Sequence, residues 1–286
     1  MRRLLLPALL ACSLVAQDKP TPVRLPQLRV SPATTLAQDI GISKIELSFA
    51  RPAVKGRKIW GGLVPYGEVW RAGANNATVI TFSHAAKVAG KDVPAGSYGF
   101  FVIPGEKAWT LILNKKAKQW GAYEYKKEED VLRWEVLPQA GAFLEYLDYR
   151  VLPMDTANAM VELGWERLRV SFPVTFDTKG LYWAQLEDKL KVAPDTDWVP
   201  WYQAAKYCQE QGIEPQKAQA WIEKSLKAGD SFWNHETAAR IYKDAKRMPE
   251  ALAQLQKAIE LSKPGGAPKE YTENLEKELA VWKAAK

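Results

Sequence analysis

Apolar and polar positions alternate along the first half of the chain and recur at helical spacing along the second. The segment 42–50, ISKIELSFA, alternates, and 78–83, TVITFS, is β-branched and aromatic. Period-two patterning of this kind marks strands with one buried face. Further strand signals follow within 86–114 and at 131–137, 143–152 and 159–174, the last with Gly164 and Trp165 at a turn or bulge. Ala89-Gly90-Lys91-Asp92 and Pro104-Gly105-Glu106-Lys107 read as hairpin connections between them. Eight or nine short strands without intervening helices predict an antiparallel β-sandwich or barrel over residues 28–175, and argue against a doubly wound α/β fold.

After residue 176 the period changes. The segments 198–212, 214–229, 231–247, 248–263 and 268–284 read as amphipathic helices broken at glycine or proline. Ala218, Ala220, Ile222, Lys224 and Leu226 recur 33 residues later as Ala251, Ala253, Leu255, Lys257 and Ile259. Paired helices at this period resemble tetratricopeptide repeats, which usually need about three copies to be stable alone. Two repeats therefore predict that this small all-α domain, residues 176–286, packs on the β domain through the aromatic stretch 181–203. The fold class is α+β in two parts.

The chain opens MRRLLLPALLACSLVAQ: two arginines, a short apolar run and a small residue. This fits a secretory signal peptide over residues 1–16 cleaved after Ala16, with acylation at Cys12 as the second reading. The run is too short to span a bilayer, so no transmembrane segment is expected. Residues 17–27, with three prolines, read as an extended linker. The implied location is periplasmic or extracellular. Cys208 is then the lone thiol of the mature chain, read as a small core residue.

The net charge of +7 comes from 40 basic and 33 acidic residues without a basic block, which argues against a nucleic-acid partner. Two histidines, His84 and His235, make a histidine metal site improbable, and no nucleotide, hydrolase or metalloprotease motif is present. No cofactor and no metal is expected.

The segment 51–78, RPAVKGRKIWGGLVPYGEVWRAGANNAT, stands out as a long connection between two strands. Such connections are usually functional or carry structure of their own. In one reading its glycines and prolines make turns and Trp60, Tyr66 and Trp70 plug the sandwich end. In the other, Arg51, Lys55, Arg57 and Arg71 converge with Asn75 on an anionic or carbohydrate ligand, with Trp60 and Trp70 as flat walls. Trp120 and Tyr123, in QWGAY, are candidates for the same mouth. The alternative is an envelope hydrolase using Glu68 or His84 as acid/base. A third class is a scaffold that takes an envelope protein on the helical repeats.

These blocks, with VAGKDVPAGSYGFFVIPGEKAWTLILNK, EEDVLRWEV and MVELGWERLRVSFPV in order, resemble the DUF2911 family of exported bacterial proteins. The resemblance implies export and a domain over residues 28–174, often followed by a helical tail. It implies no catalytic residues.

Overall fold

A computed structural model describes residues 28–264 and 266–284. The signal segment, Cys12 and the 17–27 linker lie outside the described residues. Strands β1 (Ala33–Ile40), β2 (Ser43–Ala50), β3 (Thr78–Phe82), β6 (Gly96–Ile103), β7 (Trp109–Asn114) and β8 (Asp130–Val136) form one antiparallel sheet in the order β1-β2-β3-β6-β7-β8. Strands β4 (Ala86–Val88), β5 (Lys91–Val93), β9 (Gln139–Pro153) and β10 (Asn158–Phe176) form a second, in the order β5-β4-β10-β9. Alternation does what it should: Ile45, Leu47 and Phe49 of β2 turn inward with Ile80, Phe100 and Leu111, against Val161, Leu163 and Phe172 of β10. One shared core results, as expected for a two-sheet sandwich.

Two local devices shape the sheets. The β4–β5 hairpin turns on Ala89 and Gly90 alone, both left-handed at φ 48° and 78°, which matches the strand twist. In β10 the register against β9 slips at Gly164 to Glu166. Inward positions are odd-numbered through Trp165 and even-numbered from Val170, so the bulge turns Trp165 into the core without exposing the rest of the strand.

The tail holds six helices: α1 (Thr178–Lys191), α2 (Trp198–Gln211), α3 (Pro215–Ala228), α4 (Phe232–Asp244), α5 (Met248–Ser262) and α6 (Lys269–Ala284). Helices α2/α3 and α4/α5 are the two repeats, and α6 packs on α5 as a cap. None of the helices is long and apolar enough to cross a membrane.

The expected packing of the tail on the sandwich is not what forms. The helical core, built on Ile222, Ala238, Leu255 and Leu275, takes no strand residue, and the sandwich core takes no helical one. The aromatic stretch is spent inside the tail. Trp183 lies 5.8 Å from Trp221, Tyr182 lies 4.4 Å from Tyr207, and Trp201 is buried with Leu190 and Ala204. Helices α1 and α6 thus supply the apolar surface that two repeats lack. At the junction the Thr178 hydroxyl donates to the Thr156 carbonyl at 2.8 Å.

Candidate functional site

The connection from β2 to β3 is stitched to both sheets. Val54 N–H donates to the Glu145 carbonyl at 2.7 Å and Leu147 N–H to the Pro52 carbonyl at 3.0 Å, adding a short rung to β9. Further on, Trp70 and Val102 exchange both backbone bonds, at 2.8 and 2.9 Å, beside β6. The loop therefore closes one end of the sandwich.

Its tryptophans complete the core. Trp60 sits 4.5 Å from Trp109, 5.7 Å from Trp70 and 5.9 Å from Trp165, and Trp70 stacks on Trp165 at 5.9 Å and 18°. Trp60 and Trp70 are each only 8% exposed, so they act as plugs more than as open walls. Trp70 spends its ring N–H on the Gly73 carbonyl, 3.2 Å away, but its edge still reaches a cleft.

That cleft, about 300 Å³, opens where the loop meets the start of β1. It gathers Lys55, Arg57, Trp70, Arg71 and Asn75 from the sequence candidates, and adds Val30, Leu63 and Trp165. Among the described residues, no acidic side chain lines it. Arg51 is not part of it: its Nε donates to the Leu147 carbonyl at 3.1 Å and its Nη2 pairs with Asp148 at 3.2 Å. Arg57 lines the cleft but donates to the carbonyls of Val54 and Ala53. These two arginines hold the loop together. Lys55 is exposed, and among the described residues its ammonium has no partner. Asn75 sends its amide to the Ser31 carbonyl at a long 3.4 Å.

Arg71 differs from its neighbours. Among the described residues its side chain makes no hydrogen bond and no ion pair, and its Nε is closed off from solvent with no acceptor. The terminal nitrogens remain the reachable part of the fork. Burial pushes the guanidinium below the usual arginine value, while the Tyr123 phenol acts in the opposite sense. Arginine stays charged at neutral pH despite such a shift. The ring N–H groups of Trp60 and Trp165 are also buried without acceptors, so the base of the loop has a surplus of donors.

The backbone beneath Arg71 is fixed. Ala72 is left-handed at φ 53°, a costly conformation for a residue with a Cβ. Its carbonyl accepts both the Thr78 hydroxyl at 2.9 Å and the buried Tyr149 hydroxyl at 2.8 Å. Burial raises the Tyr149 pKa, so the phenol stays a donor.

The remaining candidates lie outside the cleft. Tyr66 covers Gly61, where an added Cβ would come within 2.6 Å of its ring. Trp120 and Tyr123 are exposed, with Trp120 bridged to Asn76. Glu68 is exposed beside Gly67, which bonds to Pro104 past the end of β6. His84 follows the opposite end of β3, its Nδ1 3.0 Å from the Ser83 hydroxyl. Five strand residues at about 3.3 Å each separate those two ends by roughly 15 Å. Glu68 and His84 are not brought together, and neither meets Arg71.

Val30, Leu63 and Trp165 carry no local signal of a site. Trp165 reaches it from β10 through the bulge at Gly164, a feature legible in the sequence although its destination is not.

The geometry defines a class: an antiparallel sandwich with a cation-bearing, acid-free end cleft, followed by a helical-repeat tail. The family described as a protein of unknown function, DUF2911, matches residues 31–174, half of the chain. The chain belongs to this family. No curated protein and no solved structure matches it.

Proposed function

We propose that the protein is an exported binding module whose end cleft recognises a small anion without transforming it. The observation that carries this reading is Arg71, a partly desolvated guanidinium that no carboxylate neutralises among the described residues and whose terminal nitrogens remain reachable. A buried charge without a partner is costly, and an anionic ligand supplies the partner. The fixed backbone at Ala72 supports it, because binding is tightest where donors are held in place beforehand.

The hydrolase alternative draws less support, since Glu68 and His84 sit apart from the cleft and from each other. For the scaffold alternative, the helical tail offers paired repeats with a core of their own.

The test is a thermal-shift screen with phosphate, hexuronates and organic carboxylates, with Arg71→Gln as control. A ligand at a hundredfold excess over its Kd stabilises by about 2.7 kcal/mol. A shift lost in the folded variant supports the reading. No shift with any anion refutes it. Mass spectrometry of the protein recovered from its producing cells tests export: a chain starting at Gln17 or an acylated Cys12 supports it, and an intact Met1 start opposes it.

A further inference from the structure

Resting on the anion-site reading, we infer that the ligand is a small monocarboxylate with an apolar body, not a phosphate and not a sugar acid. Three observations narrow the class.

The first is charge. One guanidinium in the cleft is both partly desolvated and, among the described residues, unpaired. Arg57 is committed to loop carbonyls, and Lys55 is exposed at the rim, where its charge is screened. A single fork matches a single carboxylate in two-point fashion. A phosphate dianion would carry a second charge into a site with one buried counterion.

The second is the scarcity of groups that could read hydroxyls. Among the described residues no Asp or Glu lines the cleft, the Asn75 amide N–H is turned to the Ser31 carbonyl, and the ring N–H of Trp70 is satisfied by Gly73. A sugar acid would bring several hydroxyls to a cleft whose side-chain acceptors are the Ser31 hydroxyl and the Asn75 amide oxygen, too few to match them all, and unmatched polar groups are strongly penalised on burial.

The third is the rim. Val30 is 79% exposed and Leu63 47% exposed, and both border the same cleft together with Pro52 and Val64. Apolar surface beside a desolvated cation suits an amphiphilic acid, whose carboxylate meets Arg71 while its body covers the rim. The volume, about 300 Å³, is at the small end for ligand sites.

The experiment is a ligand titration of the full protein, followed by NMR at the Arg71 Nε–H signal and at the tryptophan ring N–H signals. The probes are acetate, hexanoate, inorganic phosphate and glucuronate. Hexanoate is expected to bind about tenfold more tightly than acetate, the effect of burying roughly two methylenes. Leu63→Ser, at an exposed position, should erase that preference. Arg71→Lys should weaken both acids, because an ammonium lacks the fork. Phosphate or glucuronate binding more tightly than hexanoate, with loss in Arg71→Lys, would overturn the inference and leave the anion reading standing. Binding of none of the four would overturn both. Hexanoate binding that survives both variants would mark non-specific apolar association and also overturn it.

Discussion

Replacing Arg71 by methionine should stabilise the protein in the absence of ligand. The side chain forfeits nothing, since it makes no hydrogen bond or ion pair among the described residues. It does carry a buried Nε–H without an acceptor, and an unmet buried donor costs about 1–3 kcal/mol. Partial exposure of the terminal nitrogens discounts this, so a net gain of about 1 kcal/mol is expected, or about 2–4 °C in Tm for a unit of this size. Methionine fills a similar volume and keeps the packing. The matched control is Arg51→Met. It removes the bond to the Leu147 carbonyl and leaves Asp148 without its cation, a loss of about 1–2 kcal/mol. Urea unfolding followed by tryptophan fluorescence reads both, because Trp60, Trp70, Trp109 and Trp165 share one cluster around the loop. The expected outcome is opposite signs for the two arginines. Equal destabilisation would refute the argument and make Arg71 a structural member of the loop.

Trp60→Ala should cost about 3–5 kcal/mol in urea unfolding, since it opens a cavity among three other indoles, while Trp120→Ala, at an exposed site, should stay within about 0.5 kcal/mol. The Cys208 thiol is buried, and burial pushes its pKa from 9.0 up to about 11. Alkylation at pH 8 should therefore be slow in the folded protein and fast in urea. The stability tied to keeping this thiol protonated is intact below pH 9 and should be lost as pH rises through about 11, a loss that Cys208→Ala removes in alkaline unfolding curves. Because the two cores share no residue, scanning calorimetry should show two transitions, and a single one would mean that the junction at Thr178 couples them more strongly than its contacts suggest.

The elements whose side chains alternate or recur strongly were readable in advance, and those governed by distant contacts were not. Strands β2, β3 and β10 announce themselves by periodicity, and the repeats by their offset. Strand β1 does not, because it is an edge strand on which Thr34, Leu36 and Gln38 are only half-buried, so no apolar face is written into it. The roles of the loop residues depend on partners far along the chain. Arg51 and Arg71 look alike in sequence, yet one guanidinium finds Asp148 across the sandwich and the other finds no partner among the described residues. Trp60 and Trp70 suit a core and a binding wall equally well. What decides between these is the approach of Trp109 and Trp165 from other strands. The packing of the tail is hidden from the sequence for a related reason: its aromatic stretch, rich enough to bind a sheet, is consumed by Trp221, Tyr207 and Leu190 of the tail itself.

The strongest argument for a site at the sandwich end is that two local costs occur at adjacent residues and the scaffold enforces both. Ala72 holds a left-handed backbone, and Arg71 holds a partly desolvated charge without a counterion among the described residues. A connection serving only to join β2 to β3 could relieve either cost by a small shift. It is prevented from shifting by Tyr149 and Thr78 on the Ala72 carbonyl, by the paired bonds of Trp70 with Val102, and by the rung on β9. Those restraints come from both sheets, so the whole sandwich core stands behind the position of one guanidinium. Costs of this kind persist where the surrounding structure over-determines them, and they cluster at binding sites because a fixed, under-solvated donor gives up little when its ligand arrives. Arg51 and Arg57, in the same loop, show that the chain meets its other guanidinium groups with nearby acceptors. The exception at Arg71 is therefore a property of that position and not of the loop's composition.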